Sequence, residues 1–319
     1  MRRPVLVLAV AALAALPLLA PRTALAEDAP DWAALLEQKA QAVVSVKFVL
    51  KMRLDFGGQT QENEENGEIR GVVADASGLV MISNDALEGN AGMFRRMMAR
   101  RPGGGGGHGV TASPTDLKVL FGSESKEHDA VLVARDSNLG LAFVQILDLE
   151  GKTPPTIDLV KGVEPKVGQT LAVVGRHGRG FDCAPTVDRL QVTGRIEKPR
   201  PMWSVSGGGR PGLPAYDAQG RIVGVLAIQS GSAGVDEGGP MGGGEGIFLL
   251  TLENVQRVLE QAKKRVPEAV AKAKEAAAKE AEAGMADAPP SDAPKAPDAP
   301  KAPEAPNAPE VPKGPGAPK

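Results

Sequence analysis

The sequence predicts an all-β fold: strands closed into two packed barrels, followed by a C-terminal helix and a disordered tail. The first of three supporting observations is alternation. Val44, Val46, Phe48, Leu50, Met52 and Leu54 recur at every second position, the period of a half-buried strand. Second, short strand-like runs are divided by Gly, Pro and Asp turns with little helical pattern between them, as in β-sandwiches and barrels. Third, the β-rich region, roughly residues 40–250 of the 319, is too long for one small barrel and suits two.

Along the chain, residues 1–26 read as a secretory signal peptide. Arg2 and Arg3 form a positive start, Val5 to Leu19 an apolar stretch, and Ala24-Leu25-Ala26 a small-x-small cleavage site. The apolar run is short for a membrane span, and no later segment is long and apolar enough to make one. The expected product is therefore exported, periplasmic or extracellular, with no transmembrane segment after cleavage. Loss of Arg2, Arg3 and Arg22 moves the formal charge from -2 to -5, a balance that argues against a nucleic-acid partner.

Asp31 is placed to cap a short helix carrying Trp32, Leu35 and Leu36. The alternating strand follows, and the polar stretch 55–67 reads as its hairpin loop. Further strands are expected at 68–74, 79–83, 117–121, 129–134 and 141–147, then at 170–175, 187–197, 221–228 and 246–250. Residues 90–115 interrupt the pattern with a basic patch and a glycine run, and read as a flexible insertion.

Residues 252–265 have helical spacing, with Val255, Val258, Leu259 and Ala262 on one stripe. Pro267 should break this helix or open another. Residues 266–284 form an Ala/Lys/Glu helix ended by Gly284. Residues 285–319 reduce to Ala, Pro, Lys and acids and read as a disordered, extended tail.

Cys183 is the only cysteine, so no intramolecular disulfide can form, and burial is expected for it. No ligand spacing for a metal and no phosphate-binding loop occurs. No metal or cofactor is expected.

The motifs carry a resemblance. Residues 67–89 read GEIRGVVADASGLVMISNDALEG, and 131–146 read VLVARDSNLGLAFVQI. These stretches, with VGQTLAVVGRHGRGFDCAPTVDRLQVTGRIE at 167–197, RPGLPAYDAQGRIVGVLAI at 210–228 and GIFLLTLENVQRVL at 246–259, resemble in order the blocks of the HtrA/Deg branch of trypsin-like serine proteases. The resemblance covers about residues 42–265 and implies two six-stranded Greek-key barrels. It places barrel one at about 42–160, barrel two at about 161–250 and the double-barrel domain at 27–265. No counterpart of the family's PDZ domains is expected after the helix.

The resemblance also locates the catalytic positions, and each holds another residue. Where the family has its general-base His, in T-N-x-H-V-V, this chain has Asp85. Where it has the Asp that orients the His, ahead of L-A, this chain has Gly140. The nucleophilic Ser falls on Pro211 without a gap. If Arg210-Pro211-Gly212 instead matches the family's N-P-G, the Ser has no counterpart.

Serine is unreactive until an imidazole removes its proton, and a carboxylate holds that imidazole in the right tautomer. An Asp is a far weaker base, a Gly offers no side chain, and a Pro lacks the N–H that an oxyanion hole needs. Loss of the triad alone lowers kcat by about 10⁶-fold in a well-studied case. The expectation is a pseudoprotease that binds extended polypeptide or scaffolds a partner, such as an active relative.

The alternative is an active endopeptidase with displaced residues, such as Ser204 or Ser206 ahead of a glycine run, or a relocated Cys183/His177 pair. The other histidines offer less: His108 lies in the glycine run, and His128 in a polar turn reads as solvated.

Overall fold

The computed structural model describes residues 31–56, 59–89, 91, 108–230 and 245–286. The expected signal peptide, most of the insertion and the tail beyond 286 lie outside the described residues. The described chain falls into two compact units divided between Lys274 and Glu275.

The first unit holds the β structure. Helix α1, Trp32–Lys39, starts at Asp31, whose Oδ1 accepts the Ala34 N–H at 2.9 Å. The first barrel is built from β1 (Val43–Phe56), β2 (Gln59–Asp75), β3 (Leu79–Ser83), β4 (His108–Phe121), β5 (His128–Asp136) and β6 (Leu141–Ile146). It closes in the order β1-β2-β3-β6-β5-β4, with every neighbouring pair antiparallel. The second barrel holds β7 (Thr170–Arg176), β8 (Pro185–Ile196), β9 (Met202–Gly207), β10 (Pro214–Tyr216), β11 (Ile222–Ser230) and β12 (Glu245–Leu250). It closes as β10-β11-β12-β9-β8-β7. The two orders are the same circuit repeated, and closure leaves neither sheet an open edge along its shared length.

Alternation explains the two cores. On β1, Val44, Val46, Phe48, Leu50 and Met52 point into barrel one beside Val80, Ile82 and Val144. Val43, with Leu79, Met81, Leu141 and Phe143, faces the other way, into a larger core that also holds Leu171, Val173, Leu213 and Leu226 of barrel two. Strands β3 and β6 are thus buried on both faces, because one lines the barrel and the other packs the interface. Val255, Val258, Leu259 and Ala262 of helix α2 (Leu252–Ala286) are buried in that same larger core.

Four expectations need correction. The described part of the stretch 55–67 is strand rather than loop: β1 and β2 stay paired out to Phe56 and Gln59. Its polarity reflects exposure on both faces, and Lys51 reaches across to Glu64 at 3.0 Å. The insertion is shorter than 90–115, since β4 begins at His108 and pairs with β1 from there. Pro114 sits in β4 where only β1 is its partner, an edge position that tolerates the missing N–H.

Pro267 neither ends nor starts a helix, and Gly284 does not end one. Helix α2 runs continuously from Leu252 to Ala286 with Pro267 inside. An interior proline removes one backbone bond. The buried stripe before it and the Glu268–Lys272 pair at 2.8 Å after it hold the two sides helical. In the second unit the Glu275–Lys279 pair, also 2.8 Å, continues the helix. The sequence patterns also missed β9 and β10, short strands flanking the glycine run 207–209. No helix among the described residues is long and apolar enough to cross a membrane.

Candidate functional site

The loops leaving β3, entering β6 and entering β10 meet where the two barrels face each other. Asp85 opens a single 3-10 turn, Asp85–Leu87, just after β3. The turn is fixed by the buried Asn84, whose backbone N–H donates to the Gly140 carbonyl at 2.9 Å. Arg135 of β5 braces it from outside: its Nε donates to Asn84 Oδ1 at 2.7 Å and its Nη2 to Glu88 Oε1 at 3.3 Å. Sequence reasoning missed this brace, because nothing in the spacing of residues 84, 88 and 135 signals it.

Gly140 ends the turn between β5 and β6. Asp136 Oδ1 accepts the Leu139 N–H at 2.9 Å, and Gly140 has φ of 67°, a left-handed conformation that glycine adopts without penalty. A β-carbon on residue 140 would stand 3.1 Å from Asp85 Oδ2, 3.6 Å from Gln229 Nε2 and 2.8 Å from the Ile228 carbonyl oxygen. The space a side chain at 140 would enter is therefore lined by Asp85, Ile228 and Gln229.

Pro211 lies in the tight turn ahead of β10. The next residue, Gly212, has φ of 88° and packs directly on barrel one. A β-carbon there would be 2.5 Å from the Ser83 nitrogen and 2.9 Å from the Ile82 carbonyl carbon. The Gly212 N–H donates to the Leu226 carbonyl at 2.7 Å and the Leu213 N–H to the Arg210 carbonyl at 3.3 Å. Pro211 has no N–H. Through residues 211–213 the backbone thus has no uncommitted donor.

The structure brings all three predicted positions to one place: Asp85 touches the site of a side chain at Gly140, and the Pro211-Gly212 turn abuts Ser83, two residues before Asp85. It does not bring the alternative candidates there as a unit. Ser204 lies within β9 and shares a 3.0 Å hydrogen bond with Thr193. Ser206 is exposed on the same strand.

Cys183 is buried, with φ of 50°. His177 engages through its backbone, its N–H to the Ala184 carbonyl and its carbonyl to Arg70, while its ring lies 5.5 Å from that of Phe181. His128 is not solvated, as its polar neighbours suggested. It is buried, opens β5, and holds Nδ1 3.0 Å from the Asp148 carbonyl with its ring edge-on to Phe121. Of its polar neighbours, Lys126 and Glu127 are exposed ahead of the strand and Asp129 is exposed on it. His108 opens β4, and its side chain lies outside the described residues.

No protein-family model matches the chain. Over 230 residues it is 25% identical to a probable periplasmic serine endoprotease DegP-like from Hahella chejuensis (strain KCTC 2396), in a match covering 63% of this chain. The chain is a relative of the HtrA/Deg trypsin-like proteases. It spans only 43% of the length of that DegP-like protein. Among solved structures, the crystal structure of Deg5 is similar over 70% of this chain and 90% of its own, with 17% identity and a TM-score of 0.44. The relationship to HtrA/Deg proteases agrees with the two closed six-stranded barrels.

Proposed function

We propose that the chain is a catalytically inactive, trypsin-like serine protease homologue of the cell envelope, which binds extended polypeptide or scaffolds a partner such as an active protease. The turn 211–213 carries this reading. At the position expected for the nucleophile it offers Pro211, which has neither hydroxyl nor N–H, and both following N–H groups are bonded within the barrel. Acyl transfer requires a nucleophile and, for its oxyanion, donors aimed at empty space. The resemblance puts the base and its orienting acid at 85 and 140, and these positions hold a carboxylate, a far weaker base than imidazole, and a glycine with no side chain.

The barrels around this site are fully formed, which suits a surface kept for binding. A peptide added along a strand edge needs backbone groups and not a triad. The envelope assignment rests on the amino-terminal pattern of residues 1–26 and on the periplasmic designation of the DegP-like relative.

The test is a fluorophosphonate serine probe applied to residues 27–319, with unfolded casein as substrate and an intact trypsin-like protease as positive control. The expected result is neither labelling nor cleavage. Stoichiometric labelling of any serine would overturn the proposal and identify the displaced nucleophile.

A further inference from the structure

Away from the site between the barrels, a half-open cavity of about 410 Å³ lies among Gln41, the β4–β5 turn at 121–124, His128, Leu149, the stretch 152–155 and Arg176 at the end of β7. One wall is apolar, formed by Phe121, Leu149, Pro154 and Pro155. The other holds a partly buried guanidinium.

Arg176 is unusual among the inward-facing cations. The nearly buried side chain of Arg70 pairs with Glu68 at 2.7 Å. No carboxylate among the described residues forms an ion pair with Arg176. Its bonds go to backbone carbonyls: Nε and Nη2 to Ala40 at 3.0 and 2.8 Å, and Nη1 to Cys183 at 3.1 Å. Burial holds its pKa below the ordinary arginine range, with Cys183 opposing and Arg70 adding to the effect. The charge stays, because guanidinium does not deprotonate in proteins.

A guanidinium has five N–H groups. With one hydrogen in each bond, Arg176 keeps one donor on each terminal nitrogen, the number that a bidentate carboxylate takes. One face of the group is bare because residue 122 is glycine. A β-carbon there would sit 3.7 Å from Cζ, Nη1 and Nη2 of Arg176 alike, covering the group. Lys152, exposed at the rim, adds a second positive charge, against the single exposed carboxylate of Glu124.

We propose that this cavity binds a carboxylate with an apolar body, its anion gripped by Arg176 and its body against Phe121, Leu149 and Pro154. A free organic acid and the C-terminus of a peptide share this chemistry.

The proposal is tested by calorimetric titration of residues 27–319 with N-acetyl-phenylalanine, its C-terminal amide, and a pentapeptide ending in Phe with a free carboxylate. The acid should bind at least about tenfold more tightly than the amide, since charge-assisted bonds to a partly buried guanidinium are lost with the charge. Tighter binding of the pentapeptide assigns the site to chain termini, and equal or weaker binding to free acids.

The decisive variant is Gly122→Asp. Residue 122 has φ of 53°, which Asp tolerates better than most residues, and the new carboxylate lies against Arg176 as an internal counter-ion. It should weaken the acid by about tenfold or more without lowering the melting temperature, whereas Lys152→Gln should weaken it only a few-fold. Equal affinity for acid and amide, or unchanged acid binding by a folded Gly122→Asp protein, would overturn the proposal.

Discussion

Asp85 and Gly140 close on each other: a β-carbon on residue 140 would stand 3.1 Å from Asp85 Oδ2 and 2.8 Å from the Ile228 carbonyl oxygen. The contact has filled the space from which an acidic side chain at 140 would act. Returning that side chain should therefore cost stability. Gly140→Asp must take a left-handed backbone, at φ of 67°, push against a backbone oxygen and set two carboxylates together. We expect a loss of about 2–4 kcal/mol, measured as a lower urea midpoint at unchanged slope. An unchanged midpoint would mean that the Ile228 segment yields easily.

Partial rebuilding of the triad should also fail. Asp85→His with Pro211→Ser supplies a base, a hydroxyl and the N–H that Pro211 lacks, but the Gly212 and Leu213 N–H groups remain bonded to Leu226 and Arg210, and Gly140 offers no carboxylate to hold the imidazole in the right tautomer. Without the orienting carboxylate about 10⁴-fold is missing from any residual rate. The double variant should label with fluorophosphonate no faster than the parent chain over hours. Rapid labelling would show that the 210–213 turn rearranges on demand.

Arg70 ties the barrels together. From β2 it donates to the carbonyls of Arg176 at 3.2 Å and His177 at 2.7 Å while paired with Glu68. Its side chain is only 6% exposed, so truncation strands two carbonyls and a partly shielded carboxylate. Arg70→Ala should cost about 2–4 kcal/mol. Arg70→Lys should recover little, because one ammonium cannot reproduce the fork. Equilibrium unfolding of both variants checks the order.

The sequence announced some of this and concealed the rest for physical reasons. The period of β1 and the stripe Val255, Val258, Leu259, Ala262 were legible, because burial on one face leaves a periodic trace. The polar outer half of β2 was not. Residues 59–66 are exposed on both faces and are strand only because β1 pairs with them, a long-range fact absent from local composition. Pro267 misled for the converse reason: a local rule was outweighed by packing on one side and Glu–Lys pairs on the other.

At the site, Asp85, Gly140 and Pro211 were found through resemblance alone. Their convergence depends on the glycines at 140 and 212, which permit close backbone approach. The Arg135–Asn84–Glu88 brace and the lone charge of Arg176 left no mark in the sequence, since each is assembled from different strands and loops.

The pair Asp75–Lys263 joins β2 to helix α2 at 3.2 Å, with the two side chains 32% and 34% exposed. Burial works against ionisation of Asp75, yet bonds from Ser77 and the Lys263 ammonium outweigh it, and its pKa falls below 3.8. Burial likewise opposes charge on Lys263, but Asp75 and Glu260 hold its pKa above 10.5. A depressed carboxylate pKa gives stability that is present above the unfolded value and lost as pH falls through the folded one. A raised lysine pKa gives stability that is present below the unfolded value and lost as pH rises through the folded one. The pair should therefore contribute a plateau from about pH 5 to 10 that declines at both ends. At this exposure it is worth about 0.5–1 kcal/mol. Asp75→Asn should lower stability by that amount at pH 7, and the difference from the parent chain should shrink as pH falls below the usual carboxylate range and in 1 M salt. Urea unfolding of both proteins at pH 2, 7 and high salt measures it. A difference undiminished at pH 2 would assign the effect to the Asp75–Ser77 turn instead of to the ion pair.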